Sequence, residues 1–324
     1  MTPARFEAEN VRLWNDFSAQ LFHATKGEPV DGGLLLARYR RICEHLALAQ
    51  SRAYPIHVTA RLEALAQDAH QLIYRRQDYG LGQLYKLLRF DIPRGVRAQG
   101  RMVLIATLLF VLPAVVAYVL TRHSPDFALR MTSAAQLRNF ETMYADGSKA
   151  IGRMRGADTD WKMFGFYIFH NIGIGFQMFG SGILAGVGSA IALIFNGLFL
   201  GVVAGHLDRV GLGHNLWPFI STHSAFELTG IVLAGAAGLR LGLGWLAPGR
   251  KTRLESLRFA AGQGMPLVYA AFFLLVVAAA FEAFWSSAAW ITPPVKFGVA
   301  GLCWALVLSW LCLIGRGGVN NDAR

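Results

Sequence analysis

The stretch "MVLIATLLFVLPAVVAYVL", residues 102–120, runs for nineteen residues without a charge. A helix rises about 1.5 Å per residue, so this segment covers roughly 28 Å, close to the ~30 Å hydrocarbon core of a bilayer. About a hundred polar and amphipathic residues precede it, so it reads as a spanning helix and not as a secretory leader; no cleavable N-terminal signal is expected. The composition agrees. Of 324 residues, 54% are hydrophobic and only 16% charged, where a soluble domain carries about 25% charged residues.

Five further spans follow from apolar runs at about 162–181, 183–205, 217–241, 265–285 and 295–314. A tight "GSG" turn separates the first two of them. Upstream, three helical stripes recur at spacings of three and four: Leu13, Trp14, Phe17 and Leu21; Leu35, Tyr39, Ile42, Leu46 and Ala49; Leu62, Leu65, Ala69 and Leu72. Each stripe has to bury itself against a partner, which a small bundle achieves. "GEPVDGG" and "RAYP" supply the breaks between stripes. The fold class is therefore all-α: a polytopic membrane protein with about six transmembrane helices and an N-terminal soluble helical bundle. The expected domains are a cytoplasmic helical region over 1–100, a transmembrane region over 101–318 with an outer loop at 121–161, and a short tail over 319–324. A stripe through Leu137, Phe140 and Tyr144 marks a helix within that loop.

The formal charge is +11 and the isoelectric point near 10. Fifteen Lys/Arg precede residue 102, and Arg240, Arg250, Lys251, Arg253 and Arg258 share one interhelical segment. This is the positive-inside distribution, and with six spans both termini are expected on the cytoplasmic side of the membrane. No aromatic-basic platform accompanies the charge, so nucleic acid is not an expected partner. Lys86, Arg89, Arg94, Arg97 and Arg101 cluster before the first span and are expected to contact lipid head groups. Cys43, Cys303 and Cys312 are too scattered for a disulfide frame or a metal knuckle.

Glycine spacing is dense in the third span. Gly182 and Gly186 form one GxxxG, and Gly197, Gly201 and Gly205 form two overlapping ones. Such spacing lets helix backbones approach closely, within one chain or across a homodimer or other homo-oligomer.

Polar residues interrupt the apolar runs at one depth. His223 and Glu227 stand one turn apart on a shared face of the fourth span. Counting along the helices brings His170, Asn171 and Asn196 to a similar level. A lone acid there costs about 2.5–3.5 kcal/mol, so these side chains are expected to form a buried network. Leaving water penalises a charge, which favours a neutral Glu227 donating to a neighbour over an ionised one beside a protonated His223. Three readings remain open: polar glue fixing helix register, a proton or ion path of a transporter or channel, and an intramembrane metal-dependent enzyme. HExxH is absent and no second compact ligand pair is visible, so no metal, cofactor or catalytic residue is expected. His206 and His214 read as loop histidines on a wet surface. Glu282, near the outer end of the fifth span, has no expected role.

The order of features resembles the stage II sporulation protein M family of bacterial membrane proteins. The resemblance spans nearly the whole chain and rests on "RLWNDFSAQL", "YRRICEHLALA", "HQLIYRR", "FDIPRGVR", "FHNIGIGF", "GILAGVGSAIALIFNGLFLG" and "THSAFELTGIVLAGAAGLRLG". It departs at "FHN", where relatives carry a doubled Asn, and at "HSAFE", where they carry His-Gly. It implies a non-catalytic scaffold. The namesake anchors peptidoglycan-degrading partners, the sporulation proteins D and P, during engulfment. The expected function is thus an integral membrane scaffold organising an envelope or cell-wall-remodelling assembly.

Overall fold

A computed structural model describes residues 2–26, 28, 30–73, 81–147, 157–288 and 290–316. The expected tail at 319–324 and part of the expected outer loop, 148–156, lie outside the described residues. The described residues are helical, without a strand. The chain divides into two compact units, Met1–Leu81 and Gly82–Arg324.

The first unit holds α1 (Pro3–Thr25), α2 (Gly32–Ser51) and α3 (Ile56–Ile73). Asp31 starts α2 by accepting from the backbone N–H of Gly33 at 2.8 Å and of Leu34 at 3.2 Å, which satisfies donors that a first turn leaves open. The stripes read from the sequence meet in one core: Trp14, Phe17 and Leu21 of α1, Ile42 and Ala49 of α2, Leu62, Leu65 and Ala69 of α3. Phe6 joins them. Trp14 is fully enclosed, and its Nε1–H donates to His45 Nδ1 at 3.1 Å.

The second unit begins with α4 (Leu81–Lys86), a π-helical turn at Leu87–Asp91 and α5 (Ile92–Ala98). The sequence grouped residues 82–100 with the first domain; they pack instead on the apolar helices. Ile92 and Val96 enter the large core, and Trp310 donates to the carbonyl of Leu88 at 2.7 Å. Then come α6 (Gly100–His123), α7 (Pro125–Met131), α8 (Ala134–Tyr144), α9 (Ala157–Gly180), α10 (Val187–Arg209), α11 (Gly213–Leu246), α12 (Arg253–Ala280) and α13 (Pro293–Cys312). A 3₁₀ turn at Ser181–Ile183 links α9 to α10, and Gly186 (φ +78°) takes the left-handed backbone that starts α10. A π-helical turn, Phe281–Ser286, extends α12. Five helices are long and apolar enough to cross a membrane: α6, α10, α11, α12 with its extension, and α13. The protein is a multi-pass membrane protein.

Two close pairs organise this unit, α6 with α10 and α11 with α12. Glycine makes the first possible. A Cβ built on Gly197, Gly201 or Gly205 would fall against the carbonyl oxygens of Phe110, Ala114 and Tyr118 respectively. Gly182 meets the backbone of Gly238 in the same way, and Gly186 stacks over Gly242. All five glycines are thus used inside one chain, where the sequence left a dimer open.

The basic cluster is also redirected. Arg97 Nη1 donates to the carbonyls of Leu311 at 2.9 Å and Ile314 at 2.8 Å, and Arg94 Nε to Gly315 at 3.1 Å. Cations at a helix C-terminus satisfy its open carbonyls and oppose its dipole. Arg94 and Arg97 therefore cap the end of α13, and Arg94 remains exposed. Lys86, Arg89 and Arg101 stay exposed.

Two predictions follow from this packing. Gly201→Ala should lower the melting temperature in detergent, a loss of about 1–3 kcal/mol from overpacking. Gly298→Ala, with open space around its Cβ, should hold or gain up to ~1 kcal/mol through helix propensity. Burial, with Arg41 adding to it, holds His45 below the usual imidazole range. The unfolded chain then binds more protons between the folded value and about 6.5, so stability is full above pH ~6.5 and falls on acidification, by at most ~1.4 kcal/mol per pH unit. Thermal unfolding of the full chain from pH 8 to 5 should show this loss in the first unit, and His45→Gln should remove it.

Candidate functional site

α11 carries the pair singled out in the sequence. Its N-terminal half is locked by Thr222, whose hydroxyl donates to the carbonyl of Lys296 at 3.3 Å. One turn separates His223 from Glu227, and His223 Nε2 stands 3.6 Å from Glu227 Oε2. His223 is buried, while the Glu227 side chain keeps 24% of its surface.

The remaining members of the expected network do not join them. Asn196 donates to the carbonyl of Ala192 in its own helix at 2.8 Å. His170 faces away from the bundle and stacks on Phe166 at 5.8 Å between ring centres. Asn171 is buried, and its Nδ2 has no hydrogen-bond partner among the described residues. Equal depth does not mean equal direction.

Glu282 takes their place. The ligand-bearing atoms of His223, Glu227 and Glu282 all lie within 4.8 Å of one another. Glu282 belongs to the π-helical turn, as does Ser286, whose Oγ lies 2.9 Å from His223 Nδ1. The carbonyl of Ser286 accepts from the buried Lys296 Nζ at 2.7 Å. A π turn changes the facing of an otherwise regular helix, and here both Glu282 and Ser286 reach α11. The available signal was their spacing of four in "FEAFWSS"; what the sequence could not supply was that this turn packs on His223. Tyr144, at the end of α8, also senses the site: burial first, then the charges of Glu282, Tyr167 and Glu227, push its phenol up.

One cleft borders His223 and a second borders Ser286. The imidazole and Glu227 line one of about 520 Å³ with Tyr118, Trp217, Ser221 and Ser224. Ser286 lines another of about 490 Å³ with Asp146, His214, Asn215 and Lys296. The hydrogen bond between His223 and Ser286 links a residue of the first cleft to one of the second.

A family model described as stage II sporulation protein M matches residues 106–287. The chain belongs to this family. The match covers α11 and the π turn, so all three clustered residues lie inside the family's own region. A domain of unknown function (DUF8413) matches residues 4–75, nearly the extent of the first compact unit. No curated protein and no solved structure matches the chain.

Of the other histidines of this region, His214 is exposed, as its sequence position suggests, and His206 is not. His206 is buried, not a wet loop residue, and its Nε2 lies 2.6 Å from Glu141 of α8. His214 Nε2 lies 2.9 Å from Asp146, and Asn215 donates to the carbonyl of Tyr144 at 2.9 Å. Arg122 pairs with Asp208, which also accepts from the Tyr118 hydroxyl at 2.6 Å. These contacts fasten α8 and the end of α6 over α10 and α11, and so roof the clefts.

Ser286→Ala should leave a buried imidazole nitrogen without a partner, costing about 1–3 kcal/mol. Among the described residues Ser287 bonds only to its own helix, at the carbonyl of Ala283, so Ser287→Ala should cost less. Thermal unfolding of the two variants side by side measures the difference.

Proposed function

We propose that the protein is a cation-coupled transporter or channel whose working centre is His223, Glu227 and Glu282. The observation that carries this reading is the meeting of three ionisable side chains, within 4.8 Å, beside a cleft. Ionisable residues inside a membrane face protein or trapped water and mark ion pathways. Glu227 keeps part of its surface open to the cleft, unlike a group used only to fix helix packing. Past Glu227, α11 is sealed by Ala234, Gly235, Ala236, Ala237 and Gly238, all buried.

The wider arrangement we infer has six spans, with α9 completing the five strongly apolar helices, in a bacterial cytoplasmic membrane. Six crossings put both termini on one side, and the basic residues before α6 and between α11 and α12 favour the cytoplasm. The centre's role is passage, with no reaction catalysed.

A second reading, an envelope scaffold gripping peptidoglycan-remodelling partners, is favoured by the glycine contacts. They make α6, α10 and α11 a rigid platform, which assembly needs and which a carrier must loosen.

The two readings separate at Glu227→Gln, which keeps shape and hydrogen-bonding capacity. In proteoliposomes under a cation gradient, a carrier should lose flux at least tenfold, whereas a scaffold should assemble as before. Unchanged flux in a correctly folded Glu227→Gln protein would remove the transport reading.

A further inference from the structure

We propose that His223 Nε2 and the carboxylates of Glu227 and Glu282 bind a divalent transition-metal ion of the zinc class. This rests on the same centre as the transport reading and names the cation it holds. The first argument is distance. His223 and Glu227 are 3.6 Å apart, beyond a sound hydrogen bond. Two ligands on a tetrahedral ion with bonds of 2.0–2.2 Å stand about 3.4 Å apart, so the gap fits a shared metal better than a direct bond. All three ligand atoms lie within 4.8 Å of one another, which leaves only small shifts to bring the third into place.

Orientation is the second argument. Imidazoles that bind metal usually fix the ring through the other nitrogen. Here Nδ1 lies 2.9 Å from Ser286 Oγ, and Ser286 is itself held through its carbonyl by Lys296. With Nδ1 donating to the hydroxyl, Nε2 presents its lone pair to the two carboxylates.

Charge is the third. Two carboxylates brought this close repel each other and lose much of their water. A divalent cation cancels both charges, and the three side chains leave a fourth position. His223 and Glu227 line the 520 Å³ cleft, from which water or another ligand can reach it. One imidazole with two carboxylates suits zinc and its neighbours in the transition series; magnesium and calcium prefer oxygen alone.

The test uses the full-length protein in detergent, stripped with chelator and titrated with zinc, cobalt(II) and magnesium. One zinc per chain should be retained through gel filtration, with no magnesium. Cobalt(II) should give the visible spectrum of a four-coordinate site. Zinc should raise the melting temperature of the unmodified protein and not that of Glu282→Gln. Glu282→Gln should bind zinc at least tenfold more weakly, and Ser286→Ala should weaken binding 10–100-fold through ring orientation. A folded protein that takes up no stoichiometric zinc, or a Glu282→Gln variant that binds it undiminished, overturns the proposal. If zinc fails to bind while Glu227→Gln still abolishes flux, the metal assignment falls and the cation path stands. If zinc binds and Glu227→Gln leaves flux unchanged, the metal site stands without the path.

Discussion

Charge confined in a small apolar volume is the constraint on which the rest of this structure depends. His223 and Glu227 of α11 gather with Glu282, from the π turn that ends the α12 span, among helices otherwise built to sit in lipid. Such groups need partners from within the protein. The surrounding architecture supplies them from four places: α11 provides two of the three, the π turn provides Glu282 and Ser286, α13 provides Lys296, and α8 closes over the end with Tyr144.

Close backbone packing is what holds the elements to that task. In water, burying large side chains draws helices together; in lipid that drive is nearly absent, and contact area between backbones takes over. The glycines of α10 let it lie directly on the carbonyls of α6, and Gly182 and Gly186 bring the α9–α10 turn onto Gly238 and Gly242 of α11. The result fixes α11 from two sides over its second half. Its first half, with the cluster, borders clefts instead. One helix therefore combines a dry, locked half with a polar, accessible one.

Much of this was legible in the sequence, and the reasons for the remainder are physical. The apolar runs and helical stripes carry their own periodicity, so the all-helical fold, five of the spans and the core of α1–α3 could be read directly. His223 and Glu227 could be paired because four residues along a helix share a face. Asn196, Asn171 and His170 were grouped with them by depth alone. Depth counts residues along an axis and carries no information on rotation about it. Glu282 was missed for the converse reason: its distance from the helix end put it near water, while the π turn and its packing put it against α11. Arg94 and Arg97 were taken for lipid contacts because their partners, carbonyls some 215 residues on, leave no local trace.

Magnitudes bear on the choice between glue and a working centre. An interhelical hydrogen bond in a membrane contributes about 0.6–2 kcal/mol, while an acid near the bilayer centre costs about 2.5–3.5 kcal/mol. Glu227 lies well inside α11, whereas Glu282 stands in the terminal turn of its span, and the 3.6 Å between His223 and Glu227 is too long for a good bond. Neutral Ser, Thr or Asn side chains could fix the same helices at less cost, as Ser189 does by donating to the carbonyl of Met178 at 2.5 Å. What Glu227 and Glu282 offer beyond such residues is the capacity to hold a positive charge. That capacity is what the proposed cation centre draws on.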